Sequence, residues 1–139
     1  MKRYVLDTDI LTLYQSGHSE VVRHVQNCPA GHLAVSVISV EEQLTGWYTK
    51  LRRAKKRDQL ARAYHRLALA VSFLFSLKIL PFPEPAIARY EDLRVAHRHI
   101  GKNCLRIAAI ALETAAILAT RNLQDFQQIP GLQIEDWSK

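Results

Sequence analysis

The feature that most limits what this chain can fold into is a regular succession of short apolar runs and longer stretches of helical spacing. "RYVLD" reads as a strand that ends in an acid, and "HLAVS", "KILPF", "AAILAT" and "LQIEDW" read as four more. Between them lie stretches with apolar residues at three- and four-residue intervals. "DILTLYQSG" stops at Gly17, and "SEVVRHVQN" takes Ser19 as its N-cap. "ISVEEQLTGWYTKL" follows the second strand, and a helical pattern runs from about Arg53 to Ser76. "EPAIARYEDLRVAHRHI" has Pro85 in its first turn. A further helix spans about Asn103 to Thr114, and "NLQDFQQI" is a short helical turn. Strands alternating with helices predict an α/β fold with a mostly parallel five-stranded sheet. With 139 residues, no repeats and no linker, one domain over residues 1–139 is expected.

Open α/β sheets collect their functional groups at the carboxyl ends of the strands. Asp7 stands at the end of the first strand, and Asn122 and Asp125 follow the fourth. Glu42 begins the helix after the second strand, early enough to point back over the sheet edge. All four offer oxygen donors, the type that hard cations such as Mg²⁺ and Mn²⁺ prefer. Each has a plainer reading: Asp7 as a helix N-cap, Glu41 and Glu42 as exposed helix residues, Asp125 as the cap of a turn. The functional reading rests on their common location.

Net charge is +6, and much of it is local. Lys50 to Arg66 holds eight Lys and Arg against one acid, Asp58. Such a cluster attracts nucleic acid or serves as a solvated helix face. The two cysteines, Cys28 and Cys104, form no CxxC pair, so a reducing cytoplasm is the expected compartment. "LALAVSFLFSL" is too short and serine-spotted for a membrane span, and no signal peptide is visible. GxGxxG and GxxxxGK[ST] motifs are absent, which argues against dinucleotide or NTP use.

Four motifs, in order and at fitting intervals, then carry a resemblance over nearly the whole chain. "YVLDTDIL" is similar to the "LDTNIL" opening of the PIN-domain ribonucleases, and "SVISVEEQLTG" to their "ITxxELxxG", which aligns Glu42 with the second acid. "IGKNCLRIAAIAL" resembles "G-x-x-D-x-x-IAAxAL", and "ILATRNLQDFQQIPGLQIEDW" resembles "LVTRNxxDFxxVPGLxxEDW". Within that family the chain resembles the VapC toxins of toxin–antitoxin pairs. The resemblance implies a three-layer α/β/α fold and a Mg²⁺- or Mn²⁺-dependent endoribonuclease, with tRNA the first expected substrate. It implies a homodimer silenced by a VapB-type antitoxin. No recognition helix is evident, so any DNA contact is expected through the antitoxin.

The implied roles are Asp7 as a direct metal ligand, Glu42 as a ligand to water or a base, and Asn122 and Asp125 as outer-shell or second-ion groups. The departure is Cys104, which stands where the family places its third Asp; the register with Ile107-Ala108-Ala109 disfavours Asn103 in that place. A neutral thiol is a poor Mg²⁺ ligand. A helix N-terminus would lower its pKa and neighbouring carboxylates would raise it. Reduced cleavage is therefore expected, and with it an alternative: a catalytically silent protein that acts by binding antitoxin or RNA. Cys104 itself is open to several readings: a natural change, an introduced one, a Zn²⁺ or Mn²⁺ thiol with His97 or His99, or a packing residue.

Overall fold

The computed structural model describes residues 2–139. Five strands form one sheet: β1 (Tyr4–Leu6), β2 (Leu33–Ser36), β3 (Lys78–Leu80), β4 (Ile117–Ala119) and β5 (Ile134–Glu135). Every pairing is parallel, and the order is β3-β2-β1-β4-β5. Consecutive strands step outward from β1 on one side, and the chain then returns to β1 and steps outward on the other. The topological switch point therefore lies between β1 and β4.

Seven helices occupy the connections: α1 (Thr8–Gln15), α2 (Ser19–Asn27), α3 (Val37–Arg53), α4 (Arg57–Phe75), α5 (Glu84–Ala96), α6 (Lys102–Glu113) and α7 (Leu123–Phe126). The two faces of the sheet are read from strand alternation. Val5 and Leu118 face a core built with Leu105, Ile107, Ala108, Ile110, Ala111 and Phe126. Leu6, Val35 and Ala119 face the other way, against Ile10, Leu11, Val21, Leu74 and Trp137. The result is helix, sheet and helix in three layers. β3 closes one edge of the sheet, where exposed Lys78 discourages pairing with another strand.

Three boundaries differ from those read in the sequence. The N-cap of α2 is His18, whose Nδ1 accepts from the Val21 N–H at 3.4 Å; Ser19 is already helical. α3 runs on to Arg53, α4 begins only at Arg57, and the break at residues 54–56 makes the basic stretch a helical hairpin. Gln59 reaches back across that break to the Lys55 and Lys56 N–H groups, both at 3.4 Å. α5 ends at Ala96, which leaves His97 to Ile100 outside any helix. Gly17, at φ +80, ends α1 in a conformation that disfavours a side chain, as the sequence led us to expect. No helix of the described residues is long and apolar enough to cross a membrane.

Candidate active site

Register places the candidate acids. Leu6 pairs with Val35 on one side and Ala119 on the other, so Asp7, Ser36 and Thr120 stand level at the carboxyl ends of β1, β2 and β4. Asp7 is both things the sequence allowed. It is the N-cap of α1, with Oδ1 accepting the Thr8 N–H at 2.9 Å. It is also a carboxylate only 7% exposed at the switch point. Its Oδ2 accepts the buried Thr120 hydroxyl at 2.8 Å. Both partners are neutral, and none of the ion pairs among the described residues involves Asp7. Burial, then the Asp9 charge, and to a lesser degree Glu42, push the Asp7 carboxyl up to about 6 against two hydrogen bonds that pull it down.

Two arms extend from Asp7. On one side Thr8, the first residue of α1, donates its hydroxyl to Glu42 Oε1 at 2.7 Å. The Thr8 Oγ1 also lies 2.8 Å from Ser39 Oγ. Because the single Thr8 proton goes to the carboxylate, fully buried Ser39 donates to Thr8. Glu42 is thereby held beside the first strand's end, whereas Glu41 is exposed. On the other side Thr120 accepts the Asn122 N–H at 3.0 Å, and Asn122 Nδ2 donates to Asp125 Oδ2 at 3.1 Å. Asp9 fastens this arm to α1: its Oδ2 accepts the Arg121 N–H at 3.2 Å.

Cys104 falls in the first turn of α6, half-buried against the core. The opposing influences on its thiol resolve upward. Burial, followed by the charges of Asp7, Glu42, Asp125 and Asp9, pushes it up to about 11. At neutral pH it is a protonated thiol surrounded by carboxylates. Neighbouring Asn103 is engaged elsewhere, with its Oδ1 accepting from Arg106 at 2.6 Å. His99 is bonded to Gln128 at 2.9 Å, and among the described residues no three His, Cys, Asp or Glu side chains gather closely enough to hold a metal. A thiol–histidine metal site at Cys104 therefore has no geometric support.

The sequence reading passed over Ser39 and Thr120 and treated Thr8 and Asp9 only as neighbours of Asp7. The available signal was strand register: Thr120 occupies the position of Asp7 one strand over.

A hard divalent cation fits this donor set. A buried carboxylate without a cationic partner, flanked by further carboxylate and amide oxygens, is the chemistry that Mg²⁺ or Mn²⁺ answers. Such an ion completes its shell with waters and substrate oxygens, which suits a site lacking a three-ligand protein clasp.

An acidic edge at the switch point of a 3-2-1-4-5 parallel sheet is the setting in which the comparisons place this chain. The PIN domain model matches residues 4–132, and the chain belongs to that family. Its relatives within the family are VapC proteins. It is 30% identical over 143 residues to Ribonuclease VapC1 of Haemophilus influenzae (strain R2866), covering 98% of each chain. It is 26% identical to the tRNA(fMet)-specific endonuclease VapC of Salmonella typhimurium, covering 99% of each. Among solved structures it resembles VapBC2 from Rickettsia felis bound to a promoter DNA fragment, with TM-score 0.73, 27% identity and coverage of 96% of this chain and 98% of that one.

Proposed function

We propose that this protein is a VapC-type endoribonuclease toxin in which Asp7, Glu42, Asn122 and Asp125 form a Mg²⁺- or Mn²⁺-dependent centre. The observation that carries the reading is the buried, cation-free carboxylate of Asp7 at the switch point, with Glu42 held on one side and Asn122–Asp125 on the other. A divalent cation, when bound, supplies Lewis acidity towards the phosphate and acidifies water. Asp7 would hold it from the strand end, its carboxylate fixed in orientation by the Thr8 N–H on Oδ1 and the Thr120 hydroxyl on Oδ2. Thr8 occupies Glu42 Oε1, which leaves Oε2 to take a proton from the attacking water. Asp125, oriented by Asn122, supplies a further carboxylate on the opposite side.

The substrate class is RNA, with tRNA preferred because one relative bears that specificity in its name. A VapB-type antitoxin is the regulatory partner, by similarity to VapBC assemblies, and operator DNA is reached through it. The active form is a homodimer.

Cys104 supports a second reading, in which the protein binds RNA or antitoxin without cutting. Sequencing RNA ends after induction, with the chain as given, Cys104→Asp and Asp7→Asn, separates the two. Cleavage by the first two, strongest in Cys104→Asp and absent in Asp7→Asn, supports the enzyme. No cleavage by either of the first two with Mg²⁺ or Mn²⁺ present refutes it.

A further inference from the structure

Lys50, Arg53, Arg62 and Arg66 line one cavity of about 290 Å³ between α3 and α4. Helix geometry assembles it. Trp47, Lys50 and Ala54 recur at three- and four-residue steps along α3, as do Gln59, Ala63 and Arg66 along α4, so each set shares a face. Trp47 forms a wall, with Lys50 Nζ 4.3 Å above its ring. The charge is almost unanswered: among the described residues only Arg62 of these four meets a carboxylate, exposed Asp58 at 3.5 Å. A solubilising face spreads its charges outward, whereas this one gathers cations from two helices into a concavity, where field lines focus on an anion.

We propose that this cavity binds a backbone phosphate of the RNA strand whose scissile link lies at Asp7 and Glu42, an inference that rests on the endoribonuclease reading above. α3 carries both places. Lys50 and Arg53 lie eight and eleven residues beyond Glu42, about 12 and 16 Å along the helix axis. Gly46, between Glu42 and Lys50 on α3, is exposed and adds no side chain there. The planar forks of Arg53, Arg62 and Arg66 match phosphate oxygens in pairs. An acidic protein segment could also answer the charge, but nothing in that choice would need the cavity to share a helix with the acids.

The test measures anisotropy of a labelled single-stranded oligouridylate of about a dozen nucleotides. The Asp7→Asn protein in chelator serves as parent, so nothing is cut. Lys50→Gln/Arg53→Gln/Arg66→Gln is compared with Arg52→Gln/Lys55→Gln/Arg57→Gln, which removes equal charge outside the cavity. The cavity triple is expected to lose about tenfold or more in affinity, and its salt slope to fall by about 0.7, the amount for one phosphate no longer neutralised. The outside triple should lose about threefold at most. Equal losses in the two triples overturn the proposal, as does unchanged RNA binding with loss of a polyglutamate probe instead. Cleavage is scored separately with Asp7 intact. Absent cleavage by both this chain and Cys104→Asp overturns the enzyme reading, whereas cleavage with RNA binding indifferent to the cavity triple overturns only the cavity.

Discussion

Replacing Cys104 with Asp tests the electrostatics of the whole site in one step. The thiol is raised from 9.0 to about 11, so a negative charge there is disfavoured by roughly 2.7 kcal/mol. Cys104 is only half-buried, and solvent screening brings the cost to roughly 1–2 kcal/mol. The Cys104→Asp protein carries that charge permanently at neutral pH. In chelator its Tm should fall by roughly 3–8 °C for a chain of this size. A cation bound at about a hundred times its Kd returns about 2.7 kcal/mol, more than the loss. Differential scanning fluorimetry with and without Mn²⁺ should therefore show a lower Tm in chelator but a larger Mn²⁺-induced rise than in the parent. RNA cleavage should rise in parallel. If the variant melts like the parent in chelator and gains no more from Mn²⁺, residue 104 does not share the field of Asp7, Glu42 and Asp125, and the expected cost has no source.

Three further outcomes follow from the same geometry. Asp7 binds a proton in the folded state up to about pH 6 but releases it near 3.8 when unfolded, so metal-free stability should fall as pH rises through that window and stay low above it. Asp7→Asn should flatten that slope, leaving the part due to half-buried Asp9, and raise stability at pH 7 by roughly 1–3 kcal/mol, read by urea melts at pH 4 and 7; an unchanged slope would falsify the assignment. Thr8→Val frees Glu42 and should cut turnover about tenfold or more while leaving RNA affinity near that of the parent, measured by single-turnover kinetics; a pure affinity loss would count against positioning. Thr120→Val strands Asp7 Oδ2 and the Asn122 N–H and should cost about 1–3 kcal/mol in thermal melts at pH 7, an expectation that a neutral result would sink.

Asp7 was legible because it ends an apolar run, and a carboxylate at a strand terminus is conspicuous. Thr120 was not, because threonine is a good strand residue and attracts no notice in "ILATRN". Only the pairing of Leu6 with Ala119 reveals that it sits beside Asp7. Glu41 and Glu42 are adjacent acids that composition cannot separate; the motif alignment favoured Glu42, and the Thr8 hydroxyl selects the same one. The break between α3 and α4 was read two to three residues early, because "RRAKKRD" contains no glycine or proline to mark where a helix stops. Burial requires the break, because α4 must turn back for Leu74 to reach the sheet. The His18 cap was missed by one position because Ser19 is the commoner capping type.

The hydrogen bond between Thr120 and Asp7 joins residues 113 positions apart. On the ribosome Asp7 is made 113 residues before Thr120. β4 supplies the neighbour on the far side of β1, so a nascent chain has only half of the switch point until that strand emerges and pairs. Products of premature termination before Thr120 lack Asn122 and Asp125 as well and should be inert towards RNA. For a chain proposed to attack RNA in the cell that translates it, the order of synthesis delays assembly of the weapon until β4 and the acids behind it have been made.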